Sequence, residues 1–140
     1  MANVVIIPCG ALKRRERCRA RDLYIGSYFK ANLRYALSVA QTPDVLILSA
    51  KHGLIHLDEK VEPYDLKMGQ PGCVDADFVR QQAEMMAVTK KQIYALGGKL
   101  YLDTLRDAGL KFMPLVEGLP MGIQMQALKR NHGRLPKWKL

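Results

Sequence analysis

Residues 45–68 read Val45-Leu-Ile-Leu-Ser-Ala-Lys-His-Gly-Leu-Ile-His-Leu-Asp-Glu-Lys-Val-Glu-Pro-Tyr-Asp-Leu-Lys-Met68, and the change of character along this stretch decides the fold class. Val45 to Leu48 is a continuous apolar run of strand length, introduced by the turn-forming pair Pro43-Asp44. The run gives way abruptly to Ser49, Lys51 and His52, with Gly53 free to adopt backbone conformations that a Cβ resists. The carboxylates Asp58, Glu59, Glu62 and Asp65 follow closely. A buried strand that ends in Ser, Lys, His and acids is expected at the carboxyl edge of an open α/β sheet, where such folds bind ligands.

Working outward, Asn3 to Pro8 is a β-branched run of the kind buried on both faces, ending in the turn Pro8-Cys9-Gly10. Gln92 to Leu96 reads as a third strand. Phe112 to Val116 reads as a fourth, at an edge because Pro114 interrupts it. Helical periodicity fills the gaps. Asp22 is placed to cap a helix over about Leu23 to Ala40, whose stripe Tyr24, Tyr28, Ala31, Tyr35 and Val39 faces a core. Asp75 or Asp77 starts a second helix running to about Thr89, with Phe78, Met85 and Met86 buried and Lys90-Lys91 closing it against its dipole. A third follows Gly97-Gly98 and ends at Asp107-Ala108-Gly109, and a last one covers about Ile123 to Arg130. Gly97 and Gly98 would also let backbone donors approach a phosphate, although a tight turn alone explains the pair. Strands alternating with helices predict one α/β domain over 1–140: a mostly parallel sheet of four to five strands with helices on both faces.

The chain has 140 residues, enough for one core and too few for two. No apolar run reaches the length of a membrane span, and the N-terminus reads as a strand rather than a signal peptide, so the expected location is the cytoplasm. Cys9, Cys18 and Cys73 are odd in number and unpaired in spacing, which argues against a disulfide framework or structural zinc. The net charge of +9 points to a polyanionic partner, nucleic acid or nucleotide before membrane. Six cations fall within residues 13–21, among them Arg14, Arg15, Arg17 and Arg19. This basic loop (11–21) is expected to be mobile, solvated and able to wrap phosphates. The tail over 129–140, with Lys129, Arg130, Lys137 and Trp138, is basic as well.

Leu48-Ser49, Gly53-Leu54, Asp58, Pro63-Tyr64, Leu66 and Met68-Gly69 together resemble the signature of the YaaA peroxide-stress family. Pro8-Cys9-Gly10, Ala20-Arg21-Asp22-Leu23-Tyr24 with Gly26-Ser27, Ser49-Ala50-Lys51-His52-Gly53-Leu54 and Glu62-Pro63-Tyr64-Asp65 are closer still to small bacterial and phage relatives of that family. The likeness covers roughly the first half of the chain. It implies an α/β sheet, DNA binding, and a distant relation to uracil-DNA-glycosylase-type domains. The chain departs from the YaaA pattern in carrying Asp65 and Lys67 where that family shows Arg and Glu.

Cleaving or exchanging an N-glycosidic bond builds positive charge on the sugar and negative charge on the departing base. Asp22, Asp58, Glu62 and Asp65 are candidates for the carboxylate beside the sugar, and Lys51 and His52 for the donor beside the base. Pro8, Cys9, Gly10, Arg21, Ser27, Ser49, Gly53, Gly97 and Gly98 are candidates to line the substrate. Tyr24 and Tyr64 suit stacking on an extracted base. Each has a plainer reading: Asp22 as a cap, the acids as surface ion pairs, Tyr64 as a buried turn, Cys9 as a packed thiol. His52 and His56 lack the helix and the third ligand that a metal site needs, so the expected chemistry uses neither metal nor cofactor. The alternatives are a non-catalytic DNA-binding protein of stress or phage origin, and a protein that sequesters a nucleotide signal.

Overall fold

The computed structural model describes residues 3–135. The strands are β1 (Asn3–Pro8), β2 (Cys18–Arg19), β3 (Val45–Ser49), β4 (Gly53–His56), β5 (Lys60–Val61), β6 (Gln92–Ala95) and β7 (Met113–Pro114). The helices are α1 (Ala20–Leu23), α2 (Ser27–Val39), α3 (Ala76–Met85), α4 (Lys99–Asp107) and α5 (Met121–Arg130). A five-stranded sheet has the order β4-β3-β1-β6-β7, in which only the edge strand β4 is antiparallel. Val4 to Ile7 and Val45 to Leu48 are at most 1% exposed, because both faces of these strands carry helices.

The chain steps one way from β1 through α2 to β3, then the other way through α3 to β6 and through α4 to β7. Right-handed crossovers in opposite directions put α2 on one face and α3 with α4 on the other. α5 packs beside α2, and α3 beside α4. The direction reverses between β1 and β6, so a ligand-binding crevice is expected where Pro8-Cys9-Gly10 and Leu96-Gly97-Gly98 leave the sheet.

Four local expectations are corrected. The helix after Asp22 is broken: Tyr24 forms an antiparallel bridge with Lys13, supported by Arg14 N–H to Leu23 O at 2.8 Å and Ile25 N–H to Leu12 O at 3.0 Å. Asp22 therefore sits inside α1 and caps nothing; Gly26 precedes α2 instead. The helix that Asp75 does cap, through Phe78 N–H, stops at Met85, because Ala87 takes a left-handed conformation at φ 59°. Its inward positions are the small pair Val79 and Ala83, one turn apart, while Phe78 and Met85 are 44% and 87% exposed. Lys91, beyond the break, pairs with Asp44 at 3.4 Å. Gly53 turns the chain back at φ 70° to add β4 to the sheet, where the sequence suggests only a loop. The basic loop is pinned: β2 pairs with β5, and Ala20 and Arg21 donate to Glu59 O and Leu57 O at 2.8 and 2.9 Å.

Candidate functional site at the carboxyl edge of the sheet

Ser49 ends β3 and is wholly buried. Its Oγ accepts from the backbone N–H of Lys51 at 3.2 Å and His52 at 3.0 Å, and donates to Tyr64 Oη at 2.8 Å. Tyr64 Oη lies 2.7 Å from Tyr24 Oη. One strand over, the Cys9 thiol follows β1 and lies 3.2 Å from Tyr101 Oη, which projects from the first turn of α4. Gly97 makes this meeting possible. Its φ is 129°, and a Cβ there would stand 3.3 Å from both Pro8 and Tyr101. Gly98, the residue before α4, borders open space. A phenol layer thus covers the ends of β1, β3 and β6.

The Lys13 ammonium stands 4.3 Å from the Tyr64 ring centroid and 5.9 Å from that of Tyr24. The His52 ring meets Tyr64 edge-on at 5.3 Å. Burial pushes the Tyr24 phenol up to about 12, against the pull of the Tyr64 hydrogen bond. Burial, then the neighbouring Cys9 sulfur, raise Tyr64 and Tyr101 as well. These hydroxyls therefore stay protonated at neutral pH and act as neutral donors.

The expected carboxylates sit differently. Asp22 binds Arg19 Nε at 2.9 Å; Asp58 binds Arg21 Nε at 3.1 Å and Arg19 Nη1 at 3.5 Å; Glu62 lies 3.7 Å from Arg17 Nε. Arg19–Asp22 lies within the basic segment, and the other three contacts fasten that segment to the acidic loop where β2 and β5 join, with the Arg21 Nε buried. Asp65, exposed and adjacent to Tyr64, has no such pair among the described residues. Lys51 is exposed, and Ser27 is the exposed first residue of α2. Gly53 serves the scaffold: Gln82 accepts from Leu54 N–H at 2.8 Å and donates to His52 O at 3.0 Å, filling the space a Gly53 side chain would take. His56 is exposed on β4.

Arg14 donates from Nε to Asp22 O at 3.0 Å, and Arg14 and Arg15 are exposed. Lys129 and Arg130 occupy the last turn of α5. Tyr28 near the start of α2 bonds Gln124 near the start of α5, and Tyr35 near its end bonds Arg134 O, so the two helices run parallel. The basic end of α5 is then about 20 Å, one length of α2, from the basic loop. Lys137 lies outside the described residues.

Sequence reasoning missed Tyr101 and Lys13. Tyr101 follows the Gly-Gly pair by one helical turn, a usable signal only once β6 is known to lie beside β1. Lys13 was one cation in a run. Beside Gly98 a cleft of about 400 Å³ is lined by Lys99, Asp103, Arg106, Glu117 and Gln124, with its charges matched: Arg106 binds Glu117 at 2.7 Å and Asp103 at 3.3 Å. Among the described residues no helix is long and apolar enough to cross a membrane.

Comparison with curated proteins and with solved structures yields no match. The profile of DUF6884, a family of unknown function, matches residues 4–130, from β1 through α5 and across every member of the polar cluster, and the chain belongs to that family.

Proposed function

We propose that the protein acts on a nucleobase, nucleotide or DNA at the carboxyl edge of its sheet, by cleaving or exchanging an N-glycosidic bond. The observation that carries this reading is the convergence of Ser49, Tyr64, Tyr24, Cys9 and Tyr101 beneath the Lys13 ammonium, at the point where the sheet reverses direction. A departing base develops negative charge, and preorganised neutral hydroxyl donors in a water-poor setting stabilise it at little reorganisation cost. Asp65 is the carboxylate free to face the electron-poor sugar. In this reading the chain's own acid–base groups carry the chemistry. The YaaA-like motifs point the same way.

The test is release of free base. Mononucleotides and single- and double-stranded DNA carrying each normal base and uracil are incubated with the protein and scanned by mass spectrometry. Release is expected from at least one substrate, with Asp65→Asn slowing it about 100-fold. Absence of release from every substrate rejects the enzyme. A second reading, a nucleic-acid-binding module, is favoured by the exposed Arg14 and Arg15, which no carboxylate neutralises among the described residues. It predicts binding that collapses with salt and is indifferent to Asp65→Asn.

A further inference from the structure

The cleft of about 400 Å³ beside Gly98 adjoins the phenol layer, because the neighbouring Gly97 lies against Pro8 and Tyr101. Its volume is that of a small-molecule site. The four charged side chains of its wall alternate in sign. Lys99 binds Asp103, Asp103 binds Arg106, and Arg106 binds Glu117. The cleft therefore carries no net charge, on a chain whose net charge is +9. An entering phosphate or carboxylate has to part Lys99 or Arg106 from an acid it already holds, and an ammonium meets the mirror obstacle. The ligand that breaks no pair is polar and uncharged. Gln124, near the start of α5, lines the same cleft and is 5% exposed. A carbonyl can only accept, so the Gln124 amide nitrogen faces Leu119 O at 2.8 Å, and its oxygen accepts from the Tyr28 hydroxyl. An amide has two N–H donors and two oxygen lone pairs, and one of each is used here. The second N–H and the second lone pair have no partner among the described residues. Buried polar groups are normally satisfied, so a half-used amide on the wall of a cleft calls for a guest.

We propose that this cleft binds an uncharged nucleobase, free or as a nucleoside, and that Gln124 reads the hydrogen-bonding edge of the base. A flat heterocycle with donors and acceptors on its rim and no charge satisfies both conditions: it leaves the ion pairs closed and fills the amide. Naming the heterocycle a nucleobase rests on the function proposed above, whereas the preference for a neutral polar ligand stands on the charges of the cleft alone. Tyr28 and the Leu119 carbonyl are positioning groups. They fix the amide plane before the ligand arrives, which spares the ordering cost of a free side chain.

The experiment measures binding without requiring a reaction. Uridine, thymidine, inosine, adenosine and cytidine are titrated into the protein in a calorimeter at low salt, beside ribose and the 5′-monophosphate of each nucleoside. At least one nucleoside is expected to bind with a Kd of about 1 mM or below, ribose is expected not to bind, and the added phosphate should tighten binding by no more than about threefold. Gln124→Leu is expected to weaken the nucleoside about 10-fold. That variant also cuts the ties to Tyr28 and Leu119, so Gly98→Leu is the second test. The Gly98 backbone is extended and a Cβ there meets nothing within 4 Å, so the fold is kept while the side chain fills the cleft, and the same loss is expected. Absence of nucleoside binding, equal binding of ribose, or a monophosphate bound more than about 10-fold tighter than its nucleoside overturns the proposal. So does full binding in Gly98→Leu or in a folded Gln124→Leu. Nucleosides that bind although no substrate releases base reject the glycosidic reading and leave the cleft assigned; base release that is undiminished in Gly98→Leu rejects the cleft and leaves the reaction.

Discussion

At Gly53 two requirements coincide on one residue. Its φ of 70° is costly for any side chain, and a Cβ would stand 2.1 Å from Gln82 Oε1. Gly53→Ala is expected to lose about 2–3 kcal/mol in urea unfolding, the sum of left-handed strain and a broken hydrogen bond. In a Gln82→Ala background the same change should cost only the strain, about 1–2 kcal/mol, and full additivity would show that the clamp is not the cause. Tyr24 gives a prediction in pH. Its folded value near 12 exceeds the ordinary 10, so its stabilising effect is complete below pH 10 and is lost as pH rises through 12. Tyr24 contributes about 2–3 kcal/mol to the loss across that window, beside the losses from Tyr64 and Tyr101, and Tyr24→Phe should make the decline less steep. Chemical unfolding at pH 9, 10 and 11 measures both slopes. Gly53 was visible in the sequence as a turn, but its partner Gln82 lies 29 positions away and no local pattern joins them.

Among the elements, α3 shows how far periodicity reaches. Asp75 was readable as a cap and acts as one. Asp75→Ala should cost about 1 kcal/mol, seen as a lower urea midpoint at constant slope. The inward side was misread at Phe78 and Met85, which look like a buried stripe by hydrophobicity, whereas close packing on α4 and β4 selects the small residues Val79 and Ala83 and only Met86 of the expected three packs against the core. The end of the helix was missed because alanine gives no warning of a left-handed residue. Ala87→Gly should raise stability by up to about 1 kcal/mol, since the strain at φ 59° disappears. A drop in stability instead would place α3's stop elsewhere than in that backbone angle. The break at Tyr24 was equally hidden, because the bridge to Lys13 is a tertiary pairing that overrides a helical stripe.

At the scale of the molecule, charge is partly consumed internally. Arg17 pairs with Glu62, and Arg19 and Arg21 with Asp58, across the β2–β5 join, while Asp22 pairs with Arg19 inside the basic segment. Asp58 is exposed but faces the buried Nε of Arg21, so Asp58→Asn should lower the unfolding free energy by about 1–2 kcal/mol. It leaves Arg21 without its carboxylate while Arg19 keeps Asp22, and if the basic loop contacts nucleic acid the salt slope of binding should steepen by about one. An unchanged slope would separate the loop from any such contact. The sequence by itself determined the class of fold, since buried strands and amphipathic helices announce themselves through local apolar patterns whose periods the backbone dictates. It also marked the edge at Ser49 where polar chemistry begins. The tertiary structure alone decided which polar groups meet there. Cys9, Tyr24, Ser49, Tyr64 and Tyr101 are distant in sequence and are brought together by strand order, and three of the four acids that looked catalytic, Asp22, Asp58 and Glu62, found arginines first, because opposite charges pair wherever the fold lets them touch.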